Sequence, residues 1–422
     1  MKIPDELRPQ FEAWASQQQQ TEKPDTADLR QRVKQDLDLA RKMSVKEYTL
    51  WQKWDELRCE FADISTKEHK RISGVADKIW QPAALDDYLK LEPELVFIKT
   101  QFPVTSVSIW GHERFEFVTN PDPLAHDWEI LRLFVSTMPH GGNVGRSLRF
   151  LVRDRVTKKY LGVICISSDF FDLAGRDKLI GWSNEIRTKR GMINHTAIGS
   201  VIVPTQPFGF NYVGGKLLAL LCLSKTVADM WEEIYGYRLV GVTTTSLYGE
   251  TKGKSQYDDL KHWKACGFTP GQAPLKPAAA TQKAMRDWLR AHHPEAYWRL
   301  HEALRPNGLP LTRNATTVSM NYVYRQLGFT SAETRSQHSR GIYFARLYDR
   351  TYEFLQGRTP AEKLRPLFDN SEAALVQLWR DKYAAWRVKG LAEKGVFSQE
   401  PSFYDGLLGL SWDQAKERYL TF

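Results

Sequence analysis

The strongest constraint on this chain is a long apolar helix held between two apolar strands. Ala197–Val203 reads as an apolar strand, and Pro204 marks its end because proline cannot donate to a ladder. Leu239–Thr245 is a second strand, rich in β-branched residues. Between them, Gly214–Tyr235 predicts one helix whose buried face carries Leu217, Leu218, Leu220, Leu221, Val227, Met230 and Trp231. Gly236 occupies its C-terminal cap position. Upstream, Leu148–Arg153 and Tyr160–Ser167 read as a hairpin across the polar turn Asp154–Lys159. Leu95–Ile98, Ser106–Trp110 and Phe115–Val118 are short β-like runs, while Trp128–Ser136 fits helix or strand. Downstream, Tyr257–Lys264 reads as a short helix, followed by Gly267-Phe268. The sum is an α/β core at residues 95–272.

The flanks have helical character. Residues 1–94 form a helical N-terminal region, with Asp25 or Thr26 as N-cap of a helical stretch over 27–72. Residues 273–283 contain Pro274 and Pro277 and read as a linker. Residues 284–422 form a helical C-terminal region, in which Gly341–Gln356 is expected as a helix with Arg346 and Arg350 on one face. Lys and Arg exceed Asp and Glu by 59 to 50, a net charge of +9 that favours an anionic partner. The four cysteines form no C-x-x-C pair and read as reduced thiols. The start, MKIPDELRPQ, has no apolar run, and Leu217–Leu223 falls far short of the ~20 residues of a membrane span. A cytoplasmic protein with no membrane segment is expected. No metal-ligand spacing occurs, since His292 and His293 diverge on a helix.

Three segments carry candidate chemistry. The turn Pro204–Gly215 leads from a strand into a helix N-terminus, where free amides and a positive dipole end suit an anion. Its candidate ligands are Gln206, Gly209, Asn211, Gly214, Gly215 and Lys216. A tight turn that needs glycine geometry alone explains the same residues. The second segment, Arg176–Thr196, mixes Trp182 with Arg187, Lys189 and Arg190, then ends in Asn194-His195-Thr196. Cations neutralise phosphates and an aromatic can stack a base, although a solvated loop with one packed Trp fits equally. The third, Thr243–Lys264, carries Tyr248, Tyr257, His262, Trp263 and Lys264. A Tyr there could protonate a leaving group and a His could act as general base, whereas a packed aromatic layer is the plainer reading of His262. Arg335–Arg350 is basic and aromatic and suits a docked helix or a DNA-facing one.

The order of these elements resembles the acetyltransferase-like (GNAT) fold. That family holds the coenzyme A pyrophosphate with a Gln/Arg-x-x-Gly-x-Gly/Ala turn. Here the turn reads Gln206-Pro-Phe-Gly209-Phe-Asn211, with Asn211 in place of the small third residue. Asp177-Lys-Leu-Ile-Gly-Trp-Ser183, then Asn194 and Val201-Ile-Val-Pro204, resembles the core of the DruA family of Druantia anti-phage defence proteins. Tyr257-x5-Trp263 followed by Gly267 is similar to the ending of that family and of Mom, a GNAT-like phage DNA-modification protein. The resemblance spans about residues 146–272.

The Mom resemblance implies a base-modifying DNA transferase, phage- or mobile-element-encoded, that protects DNA from restriction. In that reading Arg187, Lys189, Arg190, Arg346 and Arg350 hold phosphates, with Trp263 and Lys264 also at the nucleic acid. Trp182 contacts an extruded base and Asn194 its edge. His195 or Tyr248 handles the proton with Tyr257 assisting, and the Gln206–Lys216 turn holds an acyl-CoA-like donor. The alternative is a catalytically idle DNA-binding component of a defence or mobile-element system, with helical ends for protein partners.

Overall fold

A computed structural model describes residues 3–18, 23–61, 66–98, 104–107, 113–116, 124–135, 145–209, 213–248, 255–271, 274–305, 308, 311–312, 315–336, 338–397 and 409–420. The chain divides into two compact units. One comprises Met1–Asp63, Pro270–His338 and Leu407–Phe422, and the other Ile64–Thr269 and Ser339–Gly406.

The first unit is helical. Thr26–Lys42 starts where Asp25 accepts a hydrogen bond from the Asp28 amide, the expected N-cap. Leu29, Val33 and Leu37 recur at four-residue spacing and bury against Met285, Trp288 and Leu289 of the helix Ala279–His292.

The second unit is built on a sheet. Its strands are β1 (Pro93–Ile98), β4 (Ser147–Asp154), β5 (Tyr160–Ser168), β6 (Thr196–Pro204), β7 (Gly241–Ser246), β8 (Trp263–Phe268) and β9 (Gly341–Arg346). Between β1 and β4 in the chain, β2 (Val104–Val107) and β3 (Glu113–Glu116) form a separate two-stranded hairpin. The seven strands lie in the order β1-β4-β5-β6-β7-β9-β8. Every neighbouring pair is antiparallel except β6–β7. That parallel pair is short: Thr196, Ala197 and Ile198 face Gly241, Val242 and Thr243, and pairing ends there.

β5 is central and buried along nearly its whole length, which explains its continuous apolar sequence. Gly162 lets the helix Gly214–Leu221 sit hard on β5, since a Cβ there would come 2.5 Å from the Leu218 side chain. The single helix expected over Gly214–Tyr235 is two, Gly214–Leu221 and Lys225–Tyr235. Ser224 divides them by capping the second, its hydroxyl accepting from the Val227 amide at 3.3 Å. Gly236 ends the second helix in the left-handed conformation at φ 73°. Trp128–Ser136, open between two readings, lies mostly in the helix Ala125–Val135.

Two further expectations change. Gly341–Arg346 is strand β9 rather than helix, because its apolar-aromatic run pairs with β7 on one side and β8 on the other. Arg346 and Arg350 therefore share no helix face; Arg350 precedes the short helix Thr351–Leu355. Tyr257–Lys264 is a turn leading into β8, not a helix.

Candidate functional site

The corner after β6 was the expected donor pocket, and the amides of Gly209, Val213 and Gly214 there are engaged within the turn. The Gly209 amide donates to the Thr205 carbonyl at 2.8 Å. The Val213 and Gly214 amides both donate to the Phe208 carbonyl, at 3.3 and 3.1 Å. The Phe208 ring is fully buried. It stacks on Tyr88 at 5.8 Å and meets Trp80 and Trp379 edge-on at 6.2 and 6.0 Å. Trp379 closes the corner from above, its indole N–H donating to the Val213 carbonyl at 2.9 Å. Gly214 is a glycine because a Cβ would strike the Phe208 ring at 2.5 Å. Likewise a Cβ on Gly209 would press on Gln206 and Pro204, and one on Gly215 on Gln256. Gln206 is itself buried. Lys216 donates to the carbonyls of Gln256 and Asp258 at 3.1 and 2.9 Å, and burial lowers its pKa. Asn211 lies outside the described residues. Among the described residues of this turn there is no fit to an acyl-CoA-like donor: Phe208 and its aromatic neighbours pack where an anion pocket was expected.

The proton-handling candidates do not meet in one cleft. His195 immediately precedes β6, and Tyr248 lies two residues beyond the end of β7. Gly241 is level with Thr196, and the five strand steps from it to Ser246, at ~3.3 Å each, already span roughly 17 Å before the turn that carries Tyr248. His195 lies edge-on to Tyr237 and Phe354, and burial lowers its pKa. Its Nδ1 is 2.9 Å from the Arg238 carbonyl; a carbonyl only accepts, so Nδ1 carries the hydrogen. Tyr257 is buried between Trp263 and Tyr343, with its hydroxyl 3.4 Å from Thr244 Oγ1 and its pKa raised by burial. Trp263 donates inward to the Ala219 carbonyl at 3.1 Å. His262 stacks on Phe368 with ring centres 3.6 Å apart, the packed-layer reading. Tyr248 is 40 % exposed.

The Asp177–Ser183 motif braces the second unit from inside. Arg176 is fully buried between Asp169 at 2.6 Å and Asp177 at 2.7 Å, and donates to the Phe170 carbonyl at 2.8 Å. Arg187 pairs with Asp177 and Asp172. Asp169 also accepts from the Thr243 hydroxyl at 2.7 Å, which ties the network to β7. Trp182 lies under the Arg176 guanidinium at 5.2 Å and donates its indole N–H to the Leu355 carbonyl at 2.7 Å. Asn194 is buried and accepts from Arg146 at 2.8 Å; the Arg146 guanidinium lies 4.6 Å from the Tyr237 ring centre. Trp182, Arg187 and Asn194 are therefore interior groups, engaged with protein partners rather than presented to a base or phosphate. The roles of Asp169 and Arg176 escaped the sequence reading. Their signal was the alternation of acid and base at Asp169, Asp172, Arg176, Asp177 and Arg187.

At the surface stand Lys189, Arg190, Lys264 and Arg350, with Arg346 half-buried over Tyr352 at 4.9 Å. Arg190 approaches Glu185 at 3.7 Å with its side chain 60 % exposed, a weak contact. One apolar cluster joins Ile180, Trp182 and Ile193 to Phe344, Phe354 and Leu355, so two basic-aromatic segments distant in sequence share a core. Among the described residues there is no group of three or more His, Cys, Asp or Glu able to hold a metal, and no helix long and apolar enough to cross a membrane.

A family described as Druantia protein DruA matches residues 114–357. The chain is 26% identical over 288 residues to the Druantia protein DruA of Escherichia coli (strain UMEA 4076-1), which covers 62% of this chain and 69% of that protein. No solved structure matches it.

Proposed function

This chain belongs to the Druantia protein DruA family, and from that membership we propose that it is a non-catalytic, nucleic-acid-binding component of an anti-phage defence system. One observation carries the non-catalytic part: the corner where a transferase would hold its donor is filled by Phe208 and closed by Trp379. The separation of His195 from Tyr248 along β7 supports it. What supports nucleic acid as the partner is the net charge of +9 together with the exposed Lys189, Arg190, Lys264 and Arg350. These four cations replace the buried Trp182, Arg187 and Asn194 as the contact set. The helical unit is the expected seat of protein partners.

The sheet keeps a trace of the acetyltransferase-like reading. A parallel pair that parts after Ile198 and Thr243, inside an otherwise antiparallel sheet, suits a GNAT-like ancestry whose ligand cleft has been packed shut.

The test incubates the whole chain, with DNA from cells expressing its operon partners, and reads two quantities. Retention on DNA that falls steeply with salt, with unmodified nucleosides by mass spectrometry, is expected. A modified nucleoside refutes the non-catalytic reading, and lack of retention at low salt refutes the binding one. Tyr248→Phe and Tyr257→Phe should leave defence intact; loss with both proteins folded favours a transferase.

A further inference from the structure

Phe170 and Phe171 stand side by side in solvent, each 49 % exposed, in the loop that follows β5. Two adjacent exposed rings make a contiguous apolar patch, the kind of surface that marks an interaction site. The loop that carries them is clamped at several points. The Phe170 amide donates to Asp169 Oδ1 at 2.8 Å, and its carbonyl accepts from Arg176 at 2.8 Å. Asp172, the next residue after the pair, is held by Arg187. The buried ion network thus fixes this backbone, so the rings lose little freedom on binding.

Two exposed lysines lie on the elements next to this loop. The helix Ala174–Ile180, directly after the loop, exposes Lys178. Gly175 in that helix lies against β8, where a Cβ would collide with the Cys266 carbonyl. β8 in turn exposes Lys264 and Phe268, the latter at 55 %. The exposed acid in the loop, Asp172, is paired with Arg187.

We propose that Phe170 and Phe171 form a stacking platform for the unpaired bases of single-stranded nucleic acid, with Lys178 and Lys264 along its phosphates. The inference rests on the nucleic-acid reading above and narrows it to single strands. Every base has a π-face, so such a platform is indifferent to sequence. A base inside a duplex is covered by its neighbours and gains nothing from it. Asp169, Arg176, Asp177 and Arg187 act as positioning residues beneath the platform.

Binding of the whole chain to a fluorescent oligothymidine, to an abasic oligonucleotide of equal length and to a duplex tests this. The abasic strand keeps the phosphates and removes the bases. The wild-type chain should bind oligothymidine at least about tenfold tighter than the abasic strand. The double variant Phe170→Ala, Phe171→Ala should lose that preference while its duplex and abasic binding stay unchanged. Phe170→Trp, Phe171→Trp should keep it, which separates stacking from damage to the loop. Equal binding of oligothymidine and abasic strand by the wild type overturns the platform and leaves the broader reading standing. Unchanged oligothymidine affinity in the alanine variant, with loss of a companion protein, also overturns it and makes the rings a protein contact. Failure of all three probes at low salt defeats both readings.

Discussion

Phe208→Ala is the sharpest perturbation of the packed corner. Removing a fully buried Phe costs about 3–5 kcal/mol through lost transfer energy and the cavity left behind. Phe208 also makes three aromatic contacts, to Tyr88, Trp80 and Trp379, each worth about 0.5–1.5 kcal/mol beyond burial. Part of that is already inside the first figure, so the upper end, about 4–5 kcal/mol, is expected. The chain has two compact units, so one global unfolding midpoint would blur the effect. Amide hydrogen exchange read by peptide mass spectrometry localises it. Protection across β5 and β6 should fall by about a thousandfold. Peptides of the helical unit should be nearly unchanged. A loss under about 1 kcal/mol in β5 and β6 would refute the reasoning, because it would mean that the ring sits in an open cleft able to accommodate its removal.

Asp177→Asn removes the carboxylate shared by two buried guanidinium groups and should destabilise the sheet unit by about 3–5 kcal/mol in denaturant unfolding. Lys189→Ala with Arg190→Ala should weaken duplex and single strands alike and shrink the salt slope for single strands by about 1.4, with stability unchanged. His262, stacked on Phe368, has a pKa held down at about 4, chiefly by burial, against an ordinary 6.5. The unfolded chain therefore takes up this proton first as pH drops, so the stability tied to neutral His262 is present above pH 6.5 and is lost as pH falls through about 4. His262→Gln should flatten that part of the stability profile in pH-dependent thermal melts.

Local features of the fold were legible in the sequence where the signal was local. The apolar runs Leu148–Arg153 and Tyr160–Ser167 and the polar turn between them marked β4 and β5, Pro204 ended β6, Asp25 capped its helix and Gly236 ended another. β9 was misread as helix because its strand character depends on β7, about a hundred residues earlier, and no local pattern reports that pairing. The break at Ser224 was masked by the apolar run Leu217–Leu223 before it. The site was less legible for the same reason. The glycines of the Pro204–Gly215 turn suggested an anion cradle, but the direction of the Phe208 ring is set by Tyr88 and Trp379, both remote in sequence. Basic residues near Trp182 suggested phosphate contacts, yet Arg187 is claimed by acids at Asp172 and Asp177 that a charge count treats as background.

Affinity of the intact chain for single-stranded DNA across a salt titration bears most directly on the account. Five exposed cations, Lys178, Lys189, Arg190, Lys264 and Arg350, at about 0.7 per phosphate neutralised, predict a log–log slope near −3.5. A slope indistinguishable from zero, or no complex even at low salt, would contradict it.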